Sequence, residues 1–281
     1  MKNVAIIDSV LTFIDYIQKY YKTVDPKKHL FFRGHSKVSY ELIPSVFRKN
    51  ESEKDILLDF KQYAPEHNIK YDFIYECDRV LNDMQHFGLP TRLLDWAINP
   101  LIALYFSCQR SKTLAKEDKD EDGRIFIFNP WNYNSKIVNY EILENHDIHI
   151  LARALLSYGW NFDDIGKYIE RKYVRFELNE KDLEKPISFV SPYTNKMKIS
   201  QRGCFTINGT DRGSLDKWDE EKKSLDYLTI RGDKKYEILN ELNLLYINEY
   251  SQFAQSTPNI LNFKLPVEIS TQAQSSQDVL L

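Results

Sequence analysis

The sequence has little of what usually announces a class. Three of its 281 residues are cysteine (Cys77, Cys108 and Cys204), widely spaced and odd in number. That excludes a disulfide framework and a zinc ribbon, and points to a reducing, cytoplasmic setting. Nine glycines and three methionines are few for this length, and no glycine-rich phosphate loop is present. A nucleophile elbow and a His-Glu-x-x-His motif are absent too. No apolar run reaches the roughly 18 residues a membrane span needs, so no membrane partner is expected. The formal net charge is −3, which leaves no global field to recruit nucleic acid or an anionic surface. Met1-Lys2-Asn3-Val4 reads as the opening of an amphipathic helix rather than a signal peptide.

What is present describes a folded globular chain. Apolar residues make up 42% and aromatics 14%, with 18 Tyr and 16 Phe, enough for a sizeable core. Helical periodicity predicts helices over about residues 5–22, 52–64, 69–86, 137–157, 161–172 and 234–247. Apolar runs predict strands at 29–33, 91–96, 123–128, 186–192, 201–210 and 225–231. Gly88 and Pro90 should end the third of the early helices, and Asn99-Pro100 should cap and start another. Strands and helices alternate without a βαβ rhythm, so the expected class is α+β, a mixed central sheet flanked by helices. One domain over 1–250 is expected, followed by a polar tail over 251–281, partly disordered.

Two segments 59 residues apart each carry an arginine inside an apolar run. The first is His29-Leu30-Phe31-Phe32-Arg33-Gly34-His35. The second is Gln85-His86-Phe87-Gly88-Leu89-Pro90-Thr91-Arg92-Leu93-Leu94-Asp95-Trp96. Arginine is costly to bury unless an anion or a carboxylate meets it. Arg33 is therefore either a bidentate clamp for phosphate or carboxylate, with Gly34 admitting the ligand to the backbone, or half of a structural ion pair, with Asp95 the nearest candidate. Asp95 and Arg92 lie three apart on a strand and face opposite sides, so either arginine could be the one that faces a ligand. His86 reads as a proton carrier near a ligand or as a cation at a helix C-terminus. His35 shares a face with Arg33 if the strand continues. Gln201, with Gly203 and Phe205, could orient a ribose or a water, or simply satisfy a turn.

Other clusters carry less. The acidic run Glu117, Asp118, Asp120, Glu121 and Asp122 matches no calcium loop and reads as a solvated loop. His146 and His149 share a helical face but lack a third ligand, so no metal site is expected.

Phe32-Arg33-Gly34, then His86 through Trp96 with Asn99-Pro100 and Ala103, then Gln201-Arg202-Gly203-Cys204-Phe205, resemble the FRG domain family over residues ~25–250. That family is found mainly in bacteria and their phages, sometimes near defence functions. The resemblance implies a bacterial or phage protein, a defence effector or toxin acting on NAD or a nucleotide. One departure is the segment Glu249 to Gln255, where family members usually carry a Phe-Pro-Asp-Leu-Asp-Gly-like stretch. The aromatic-Arg-Gly strand, and a Thr-bearing strand followed by a helix with Ala103 and Phe106, are also similar to motifs of ADP-ribosyltransferases. That likeness implies Arg33 and Arg92 on the NAD pyrophosphate and Thr91 with the aromatics lining the nicotinamide pocket. It places Gln201 where those enzymes carry a glutamate.

Three functions compete. One is an NAD-consuming enzyme of ADP-ribosyltransferase-like or glycohydrolase type, with Arg33, His86, Arg92 and Gln201 as its catalytic set. Another is a recognition module that senses a nucleotide, a phage component or a partner protein through the same arginine cleft. In any of these readings Phe32, Gly34, His35, Thr91, Asp95 and Phe205 are the expected ligand-binding residues. The last is a nuclease-type effector using His35 and His86 as acid and base, which lacks the basic stripe that nucleic acid requires. No cofactor is implied, and NAD would be a substrate.

Overall fold

The computed structural model describes residues 2–25, 29–67, 77–109, 120–137, 184–189, 203–219, 224–249 and 251. Seven strands form one mixed sheet, in the order β1-β7-β4-β2-β3-β6-β5. They are β1 (Asn3–Ile7), β2 (Phe31–His35), β3 (Leu93–Ala97), β4 (Gly123–Phe128), β5 (Ile187–Phe189), β6 (Gly203–Ile207) and β7 (Leu225–Ile230). β1 runs parallel to β7, and every other neighbouring pair is antiparallel. The described helices are α1 (Val10–Tyr21), α2 (Ser45–Arg48), α3 (Glu53–Tyr63), α4 (Cys77–His86), α5 (Pro100–Ser107), α6 (Pro130–Ile137), α7 (Leu215–Asp219) and α8 (Lys235–Leu244). The class is α+β. None of the described helices is long and apolar enough to cross a membrane.

The β2, β3 and β4 segments expected from their apolar runs all lie in this sheet, with β2 at its centre. The N-terminus differs from its expected helix. Residues 3–7 form an edge strand, and the helix starts only at Val10, where Ser9 and Thr12 form a reciprocal capping box. The β-branched Val4, Ile6 and Ile7 suit a pleated surface, and β7 supplies the ladder that local periodicity cannot see. Asn99 caps α5 as expected, its side chain accepting from the Leu101 N–H at 3.0 Å with Pro100 in the first turn. Gly88 ends α4 with φ +80°, a conformation that favours glycine. The short helices α2 and α7 were not legible, being too short for a periodic stripe. The helix expected over 161–172 lies outside the described residues, as do the tail beyond 251 and all of 137–157 except Ile137.

Successive residues of β2 point to opposite faces. Phe32 sits on the face that packs with Ile125, Ile127, Leu228 and Ile230 against Val10, Phe13, Leu104 and Ile238, from α1, α5 and α8. Phe31, on the other face, joins Phe126, Phe128 and Trp96 in a second cluster that includes Leu57 and Phe60 of α3 and Leu81 and Met84 of α4.

Glycine lets α5 lie directly on β2. A Cβ at Gly34 would fall 1.9 Å from the Ala103 carbonyl oxygen and 2.7 Å from the Ser107 nitrogen. A buried lysine closes the far end of the same layer. Lys235 Nζ donates to the Ser36 carbonyl at 2.6 Å and to Asp120 at 3.2 Å. Asp120 is thus buried in an ion pair, which corrects its reading as part of a solvated acidic loop. Asp122 is engaged as well, accepting from the Gly232 N–H at 2.8 Å. Glu117 and Asp118 lie outside the described residues.

Candidate functional site

Arg33 occupies the middle of the central strand, half-buried, with Phe126 opposite it on β4. Its guanidinium is held at two corners. Nε donates to His35 Nε2 at 2.9 Å, and Nη1 donates to the Asp95 carbonyl oxygen at 2.6 Å. Both partners are neutral. Among the described residues no carboxylate lies within ion-pair distance of Arg33, and Nη2 has no hydrogen-bond partner. Burial pushes its pKa down to about 10, Asp95 opposing and Arg48 adding to the shift, so the side chain stays charged at neutral pH. A partly desolvated cation whose described partners are neutral has the chemistry to pair with an anion.

The surroundings are positive. His35 is buried, and its Nδ1 lies 3.2 Å from the Tyr40 carbonyl oxygen. Its ring meets Phe126 edge-on at 5.1 Å. Burial, and then Arg33, Arg48 and Arg124, hold its pKa well below 6.5, against the pull of the Tyr40 carbonyl. Arg124 pairs with His35 across β4. Its guanidinium carbon stands 4.4 Å from the Tyr227 ring centroid and 5.7 Å from that of Phe126, a cation–π arrangement. Its buried Nε has no hydrogen-bond partner among the described residues. Arg48, at the end of α2, has its own pKa lowered by burial.

The second arginine has a different fate. Arg92 Nε meets Glu53 Oε2 at 2.5 Å, and the Arg92 backbone N–H donates to Glu53 Oε1 at 2.7 Å. The two side chains are only 7% and 4% exposed. Arg92 is therefore half of a buried ion pair that pins the start of α3 to the chain entering β3. The structure does not bring it to the Arg33 cluster as a second clamp on a pyrophosphate.

The rest of the 85–96 motif is a buried polar network. Gln85 on α4 accepts from the Thr91 hydroxyl at 2.6 Å and donates to the Asp95 carboxylate. The Thr91 backbone is tied to α2 by Ser45 Oγ at 3.2 Å and by the Val46 N–H at 3.3 Å. Thr91 is fully buried, so it positions strands rather than lining a surface. Asp95 is half-buried, and its main chain, not its carboxylate, carries the hydrogen bond to Arg33. Phe32 and Phe205 are core residues, Phe205 standing opposite Asp95 on β6. Gly34 is accounted for by α5 packing. His86 is the last residue of α4, and its side chain lies outside the described part, as does Gln201.

Sequence reasoning missed Glu53, Gln85, Arg48 and Arg124. Glu53 in the first turn of a helix is indistinguishable from an ordinary dipole-compensating acid. Arg124 follows a strand-opening glycine and carried only the faint signal of a charge next to an apolar run. Among the described residues no group of three or more His, Cys, Asp or Glu side chains gathers as a metal site.

No curated protein and no solved structure matches the chain. A family model does, over residues 28–116, which contain both arginine segments but not the stretch from Gln201 to Phe205. Residues 28–116, with Arg33 and Gly34 on the central strand and the 85–96 network behind them, match the FRG domain.

Proposed function

We propose that this FRG domain recognises a phosphorylated small molecule through Arg33, with NAD or another nucleotide the first class to test. The observation that carries the reading is Arg33 itself, charged, half-buried and held by two neutral acceptors, with no carboxylate in ion-pair distance among the described residues. Arg48 and Arg124 add positive potential at His35. Phosphate oxygens suit the planar guanidinium fork better than a lysine point charge.

Recognition is favoured over acid–base catalysis at this place. His35 has both ring nitrogens engaged and is held neutral, which disqualifies it as a proton shuttle near pH 7. The sensing reading includes a nucleotide-responsive defence protein. The active form of the same site would be an NAD-consuming toxin.

Calorimetry with NAD, ADP-ribose and nucleoside triphosphates decides. Arg33→Lys should weaken the bound nucleotide by about 1–3 kcal/mol, the usual worth of a charge-assisted bond. No heat with any of these ligands at millimolar concentration removes the nucleotide reading. Release of nicotinamide from NAD would replace sensing by catalysis.

A further inference from the structure

We infer that His35 is the positioning residue of the Arg33 site, and that it acts only as the neutral imidazole protonated at Nδ1. The argument starts from the bond itself. Arginine Nε is always a donor, so at 2.9 Å His35 Nε2 must be the acceptor and carry no proton. The remaining proton then belongs to Nδ1, where the Tyr40 carbonyl oxygen, an acceptor only, lies 3.2 Å away. The two contacts fix one tautomer.

The geometry also fixes the ring. Edge-on contacts with Phe126 at 5.1 Å and Tyr40 at 6.1 Å hold the imidazole plane. Nε2 thereby becomes a rigid hook for Arg33, while the Asp95 carbonyl holds the second corner and Nη2 is left for a ligand. The charged groups facing His35 are Arg33 on its own strand, Arg124 on β4 and Arg48 on α2, all cations. Protonating Nε2 would set a fourth cation among them and convert the acceptor of the Arg33 bond into a competing donor. The consequence for ligand binding rests on the anion-site reading above. The tautomer and the held guanidinium do not.

The test uses nitrogen-15 NMR of the full chain, with inorganic pyrophosphate as the ligand probe. Wild type should show His35 as the neutral Nδ1–H form from pH 8 to 5.5, and an Arg33 Nε–H protected from solvent exchange. His35→Phe keeps a flat ring against Phe126 and Tyr40 but has no acceptor. It should expose the Arg33 Nε–H to exchange and weaken pyrophosphate about tenfold, the effect of one lost charge-assisted bond. His35→Gln offers a carbonyl oxygen in place of Nε2 and should restore binding to within about threefold of wild type, a residual far smaller than that loss. An Nε2–H tautomer or an imidazolium at pH 7 overturns the inference, as does an Arg33 signal unchanged in His35→Phe. If that variant does not fold, the wild-type tautomer alone decides. If the tautomer and the protected proton are found but pyrophosphate does not bind, the anion site falls and the assignment of His35 stands.

Discussion

Arg33 and Arg92 begin from the same local circumstance and end in opposite ones. Each is an arginine in an apolar run at or beside a strand of the same sheet. Arg92 meets Glu53, whose two carboxylate oxygens take its Nε and its backbone N–H. Arg33 meets a neutral imidazole and a main-chain carbonyl. The first arrangement compensates charge internally and ties two elements together. The second leaves the charge with no described carboxylate in ion-pair distance while fixing its direction. An arginine in an apolar run thus announces a cost, and the partner that meets it decides whether the cost serves the fold or a ligand.

The comparison breaks most visibly at Glu53. Glu53→Ala leaves Arg92 buried without its carboxylate and should destabilise the protein by about 3–5 kcal/mol in chemical denaturation. A loss below about 1 kcal/mol, the worth of an exposed pair, would show that Arg92 is compensated otherwise and that the two arginines are not so different.

Gly34 sharpens the contrast within the first segment, because it separates a packing residue from its neighbour Arg33. Gly34→Ala places a methyl group against the Ala103 carbonyl and should cost about 3 kcal/mol, the upper end of typical overpacking. Chemical denaturation of this variant with nucleotide present should show the bound-state increment kept, since Gly34 faces α5. Full stability in this variant would mean that α5 can move away, and that glycine serves the ligand side instead.

The smallest effect is a slope. His35 is held well below 6.5 in the folded state, whereas the unfolded chain binds a proton near 6.5. As pH falls below 6.5 the unfolded state gains the proton first, so stability is full above that value and declines toward the folded pKa. The slope is about 1.4 kcal/mol per pH unit for one proton. Subtracting the pH profile of His35→Gln from that of wild type isolates it from the carboxylates. A flat difference between pH 6.5 and 5 would place a proton on the folded imidazole and remove its hold on Arg33.

Much of this was legible beforehand. The strands carrying Phe32, Leu93 and Ile125 follow from apolar runs. The Asn99-Pro100 start of α5 and the Gly88 end of α4 follow from cap chemistry. The site was less legible. Arg33, His35 and Asp95 come together as sequence spacing suggested, yet through a ring nitrogen and a carbonyl rather than a carboxylate. Thr91 was expected at a ligand and is instead tied to Gln85 and Ser45. The edge strand at Asn3–Ile7 was read as helix because five apolar-rich residues next to a true helix extend its period, and only β7 reveals the ladder.

By itself the sequence determined the α+β class, the places of the later strands along the chain and the presence of two expensive arginines. These depend on side-chain periodicity, capping and turn chemistry, which act over a few residues. The tertiary structure decided that Glu53, 39 residues away, would neutralise Arg92, and that Arg48 and Arg124 would gather near Arg33 without neutralising it. Such pairings are set by how helices dock on a sheet, and a charge in a one-dimensional pattern carries no record of which distant carboxylate the docking will bring to it.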